Sequence, residues 1–232
     1  METNLILFSL VGGLVYLDTD AVGQFMISQP LVSCTAAGAI FDNWQIGLTM
    51  GLLMQLPYLV EIPVGGAKIA LGNLGAYVAA GMAAKSSQVF GGEHTNLVLA
   101  LSVLYGVFVS LAAIPLQDIL RRRVNRTLLM RADAAAEMGA LEKISQLQYV
   151  GAGCAFVFGV LVCGLFAGVG STMSRLLLPL SVEYVEGALF KPLLLGAGVG
   201  AVLWLFVKRN TLRHGFVGLG CGVIYILFHY LG

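Results

Sequence analysis

The chain has 232 residues, 58% of them hydrophobic and 11% charged, against roughly 25% charged in an average protein. With a mean hydropathy of +0.89, a water-soluble globule of this length has too little interior to hide its apolar surface. The expected class is therefore an all-α, polytopic integral membrane protein, and a net charge of +1 gives no reason to expect a nucleic-acid partner.

A spanning helix needs about 20 apolar residues, and uncharged stretches mark the candidates in order. Thr3–Leu17 is apolar but short, and only Glu2 precedes it, so no cleaved signal peptide is expected. Asp18 and Asp20 follow and are read as a wet segment end, as is Asp42. Ala21–Phe41 is uncharged yet contains Gln24, Gln29 and Pro30. Asn43–Val60 and Ile62–Ala84 follow, the second with Lys68 inside it, and His94–Leu116 is long enough to cross alone. These segments form an N-terminal membrane region, 1–116.

The next stretch, 117–147, is polar. Arg121, Arg122, Arg123, Arg126 and Arg131 fall in it, while Ile119, Leu120, Val124, Leu128 and Leu129 recur at helical spacing. That pattern predicts an amphipathic cytoplasmic segment with a basic face, since short basic loops stay on the cytoplasmic side. The C-terminal membrane region, 148–232, holds Gln148–Met173, a short Leu176–Leu189 with Glu183 and Glu186, then Pro192–Val207 and His214–Leu231. Lys208, Arg209 and Arg213 form a second basic cluster. If both clusters are cytoplasmic, Leu176–Leu189 turns back without crossing.

The expectation is about seven to nine hydrophobic segments, several too short to span. Pro30, Pro57, Pro63, Pro179 and Pro192 fall in or beside them. Proline breaks helices, and broken helices persist in lipid only where protein or a water-filled cavity covers the freed backbone. Short, proline-interrupted segments therefore point to re-entrant or discontinuous hairpins at a transport site. Ala21–Gly72 shows this most clearly.

Ionisable residues inside apolar segments are functional candidates, and they are densest between Gln55 and Lys68. Gln55, Glu61, Gly65, Gly66 and Lys68, with Gln24 upstream, supply amides, an acid, a base and an approachable backbone. Hydroxyl-rich ligands such as sugars match that mixture of donors and acceptors. Glu61 and Lys68 could instead pair with each other. Cys34, Cys154, Cys163 and Cys221 all lie in apolar stretches with no CxxC spacing, so they read as buried hydrophobes. No histidine pair suggests a metal, no phosphate-binding glycine loop is present, and no cofactor is expected.

Two stretches carry a resemblance. The first is Gln24-Phe25, Gln29-Pro30-Leu31-Val32-Ser33-Cys34-Thr35, Gly38, Asp42, Gly47 and Gly51, running to Gly65-Gly66-Ala67. It resembles the N-terminal region of the mannose/sorbose-type IIC subunit of the bacterial phosphotransferase system (PTS). The second is Arg131-Ala132-Asp133-Ala134-Ala135-Ala136-Glu137-Met138-Gly139, with Leu141 and Ile144, which is similar to that family's cytoplasmic ADxAAxxGxLxxI segment. Gln29 stands where the family has the Arg of RPL, and Gln55 where a Glu is usual. Arg131 takes the place of a usual His, and Lys68 follows the glycine pair.

The resemblance implies a divergent IIC permease subunit in the bacterial cytoplasmic (inner) membrane, binding a hexose-type sugar and working as an oligomer with a IID membrane subunit. Soluble IIA and IIB phosphocarriers would phosphorylate the sugar, so the chain itself would not be the enzyme. Two other readings stay open from the residues alone. One is an ion-coupled secondary transporter with Glu61, Glu183 or Glu186 carrying protons; the other is a scaffold subunit that transports nothing.

Overall fold

The computed structural model describes residues 2–58, 71–90 and 94–181. Every regular element among them is a helix: α1 (Glu2–Asp20), α2 (Pro30–Ile40), α3 (Trp44–Tyr58), α4 (Gly72–Phe90), α5 (Thr95–Ile119), a π-helical turn (Leu120–Asn125), α6 (Arg126–Glu137) and α7 (Leu141–Ser181). Two helical rods, Thr95–Glu137 and Leu141–Leu176, are long and apolar enough to cross a bilayer.

The centre is α4. Residues Leu74 to Ala84 of this helix are all buried, because α1, α2, α3, α5 and α7 all pack against it. Small side chains let those neighbours come close. Gly75 faces Gly106 and Ser110 of α5 so tightly that a Cβ there would overlap the Gly106 carbonyl oxygen. Aromatic side chains then fasten the bundle. Tyr77 stacks on Phe8 with ring centroids 4.4 Å apart, and its hydroxyl donates to the Phe8 carbonyl at 2.7 Å. Tyr105 of α5 donates to the Phe166 carbonyl of α7 at 2.6 Å.

The outside is apolar too. Val157, Leu161, Leu165 and Val169 recur every fourth residue along α7 with their side chains exposed, and Leu104, Val107, Phe108 and Leu111 are exposed on one face of α5. Water would penalise such stripes; lipid matches them.

Two expectations are corrected. The first helix does not stop at Leu17 but runs through Asp18 to Asp20. Its polar end is tolerated because Asp20 pairs with Arg121 at 3.1 Å and accepts a hydrogen bond from Tyr16 at 3.1 Å, while Gln117 donates to Tyr16 at 3.2 Å. Second, the helix beginning before Gln148 does not break near Met173: α7 continues through Arg175 to Ser181. The polar stretch 117–147 begins inside the end of α5 and ends inside the start of α7. Its helix runs on from α5 without interruption, and α6 turns into α7 at Gly139, whose φ of 68° places it in the left-handed region glycine favours. The expected segments 192–207 and 214–231 and the acids Glu183 and Glu186 lie outside the described residues.

Candidate functional site

Between α1 and α4 the chain departs from simple crossing. Residues 21–29 form an irregular loop, and α2 and α3 then make an antiparallel hairpin turning at Phe41–Asn43. At 1.5 Å per residue, α2 with 11 residues is about 16 Å long and α3 with 15 about 22 Å. Both are shorter than the roughly 30 Å hydrocarbon layer.

Local sequence explains the hairpin. Pro30 starts α2, where its missing N–H and fixed φ cost nothing. Asp42 turns the chain with φ of 56°, a conformation that aspartate tolerates better than most residues. Gly38 and Gly47 let the two arms touch backbone to backbone. A Cβ on Gly38 would lie 2.7 Å from the Gly47 Cα, and one on Gly47 would overlap the Cys34 carbonyl oxygen.

The hairpin is fastened at its tip and at its base. At the tip, Asn43 donates to Ser87 of α4 at 2.8 Å, and Gln88 donates to the Phe41 carbonyl. At the base, the Gln55 side chain bridges the arms: its Oε1 accepts from the Leu31 N–H at 2.9 Å, and its Nε2 donates to the Gln29 Oε1 at 2.9 Å. The Val32 and Ser33 N–H groups both reach the Gln29 carbonyl at 2.9 Å. With Pro30 lacking a donor, the first amides of α2 are therefore spoken for, and this helix start does not offer an anion site. What the paired amides leave over is neutral hydrogen-bonding capacity. Just beyond the base, Tyr58 and Ser110 share a hydrogen bond at 2.9 Å.

Asp18 organises the loop that leads into this base. Only 5% exposed, its carboxylate accepts from the Phe25 N–H at 2.6 Å and from the Ser28 N–H at 2.9 Å. This corrects its reading as a wet segment end. Asp20, in its ion pair, is not free either. Asp42 is exposed at the hairpin tip.

Of the expected site residues, Gln55 sits at the hairpin base and Gln24 on the exposed loop 21–29, with φ of 49°. No hydrogen bond joins the two. Glu61, Gly65, Gly66 and Lys68 lie outside the described residues. In the expected basic face, Arg121 is engaged by Asp20, and Arg122 lies 3.7 Å from Asp118. Arg123, Arg126 and Arg131 are exposed. The residues not singled out from sequence were Asp18 and Gln29. Asp18 could have been found as an acid beside an apolar run ahead of a proline-broken segment. Gln29 was named as a polar residue in an uncharged stretch and as a departure from a family pattern, but not as a site residue.

That departure is informative. Gln29 and Gln55, which by the resemblance stand where an Arg and a Glu are usual, touch each other. They form a neutral amide pair. Gln29→Arg and Gln55→Glu are each expected to lower stability by about 2 kcal/mol, since each leaves a part-buried charge uncompensated. The double variant should recover most of that loss. Thermal unfolding of the four proteins in detergent gives the coupling; additive losses would show that the two sites act independently.

The sequence pattern of one protein family, described as PTS system sorbose-specific IIC component, matches residues 3–218. No curated protein matches the chain.

Proposed function

Because the chain belongs to the family of PTS sorbose-specific IIC components, and a IIC component is a membrane transport subunit of a sugar phosphotransferase system, we propose that it binds and translocates a hexose-type sugar across the bacterial cytoplasmic membrane. Phosphorylation falls to IIA and IIB partners, and a IID subunit completes the membrane complex. The observation that carries this reading is the hairpin base, where Gln29 and Gln55 present neutral amides at the end of two helices too short to cross. Uncharged hydroxyls are recognised by such groups, and irregular backbone at membrane depth belongs beside a solute path.

In this reading the chain crosses the membrane several times, with about seven to nine hydrophobic segments. Gln24, Gln55, Glu61 and Lys68 hydrogen-bond the sugar, with the Gly65–Gly66 backbone beside it. The region 1–116 holds the site, 148–232 completes the membrane body, and 117–147 faces the cytoplasm. There Arg122, Arg123, Arg126 and Arg131 meet the phosphocarriers or anionic headgroups, while Arg121 holds Asp20.

Equilibrium sugar binding to the intact complex tests the site. Gln55→Ala should weaken binding roughly tenfold, the effect of one lost hydrogen-bonding group, and Glu61→Ala at least as much. Unchanged affinity in both variants would remove these residues from the sugar site.

A further inference from the structure

A cavity of about 290 Å³ lies at the end of the bundle opposite the Asp20–Arg121 pair. It is enclosed by the start of α1, the hairpin tip, the last turn of α4 and the far part of α7, and Asn4, Asp42, Lys85 and Arg175 line it together with Phe41 and Phe90. At 1.5 Å per residue, α1 carries the chain about 24 Å from the Arg121-paired Asp20 to Asn4. If the arginine cluster marks the cytoplasm, this cavity opens on the outer face.

Its chemistry is unusual for packing. Among the described residues, Asp42, Lys85 and Arg175 make no ion pair, although all three border one space. Lys85 is half-buried on the central helix. Asp42 and Arg175 are exposed, so their charges stand open to a ligand. Asp42 is also held in a left-handed conformation, and its neighbours Phe41 and Asn43 are bound to α4 on either side. These ties fix the turn that carries Asp42.

A carboxylate acceptor, two cationic donors and an amide surround two aromatic side chains. Asp42 would repel an anion, whereas sugar hydroxyls need donors and acceptors together and sugar CH faces need an apolar wall. The volume suits one small molecule. We propose that this cavity is an outer binding site for a monosaccharide, distinct from the hairpin base and occupied before the solute reaches it. The proposal rests on the permease reading.

The test uses the full chain in intact cells. Lys85→Cys, with Ser171→Cys as a second position, is treated with a membrane-impermeant maleimide, and labelling of the unsubstituted chain is subtracted. The probes are L-sorbose, D-mannose and D-glucose, with sodium sulfate as the anion control. Labelling from outside is expected at one or both positions and is slowed at least fivefold by one of the sugars but not by sulfate. Adding Asp42→Asn should weaken that protection at least fivefold, and adding Gln55→Ala should leave it. The proposal is overturned by no outside labelling at either position, by labelling that none of the sugars slows, by equal protection from sulfate, or by protection that disappears with Gln55→Ala. Sugar uptake by the unsubstituted chain is followed in parallel. Uptake without protection removes the outer site alone; protection without uptake keeps the cavity and removes the permease reading.

Discussion

Gly47→Val is expected to prevent the folded protein from accumulating in the membrane, and Gly153→Ala is expected to have no such effect. Both glycines are helical, but their surroundings differ. A Cβ on Gly47 would overlap the Cys34 carbonyl oxygen and lie 2.8 Å from the Gly38 Cα, so it meets backbone with no side chain to swing away. The arms of the hairpin would have to separate. That breaks the bridge from Gln55 to Leu31 and Gln29, which needs the arms in contact. Overpacking of a tight contact costs about 1–3 kcal/mol, and more when backbone must shift; at least about 3 kcal/mol is expected here. Nothing lies within 4 Å of a Cβ on Gly153, and alanine there gains up to about 1 kcal/mol of helix propensity. Yield after detergent extraction and the midpoint of thermal unfolding read the difference. A Gly47→Val protein with native yield and midpoint would show that the arms are not in contact.

Asp18→Ala should reduce uptake at least tenfold while leaving the protein in the membrane. The Asp18 carboxylate receives two backbone N–H groups, from Phe25 and Ser28. Without it both donors lose their acceptor, Ser28 in a buried place and Phe25 in a part-buried one, and an orphaned buried group costs about 1–3 kcal/mol. The loop 21–29 then loosens locally, because the helices around it are held by other contacts. Since that loop delivers Gln29 to the hairpin base, a loose loop blurs the amide pair. Asp18→Asn separates charge from geometry. Its single carbonyl oxygen serves one N–H, and its amide group faces the other as a second donor, so an intermediate loss is expected. Hydrogen exchange over residues 21–29 should accelerate in Asp18→Ala and less in Asp18→Asn. Native exchange together with native uptake in Asp18→Ala would sink the anchoring role.

What could be read from the chain beforehand was whatever depends on neighbours in sequence. Apolar runs announced the bilayer, and Pro30 and the short segments around it announced a break after α1. What escaped depends on partners far along the chain. The end of α1 could not be placed, because Asp20 is stabilised by Arg121, 101 residues away. Asp18 was dismissed because two acids after an apolar run usually mark water, and only the folded loop supplies its two N–H partners. The break expected near Met173 came from hydropathy, which falls at Ser174 and Arg175, yet nothing in those residues breaks a helix. Gln29 and Gln55 looked like unrelated departures until the hairpin closed between them.

The hairpin's fastening also bears on movement. Its tip is tied to the last turn of α4 through Asn43 and Gln88, and its arms lie along the length of the same helix. A lever clamped along its length and at its end does not swing alone. Any change of shape that carries a solute past the hairpin base must either break the two ties at the tip or move α2, α3 and α4 as one piece. In the second case the sliding surfaces are those where α4 meets α1, α5 and α7, the same contacts that glycine and alanine have made smooth.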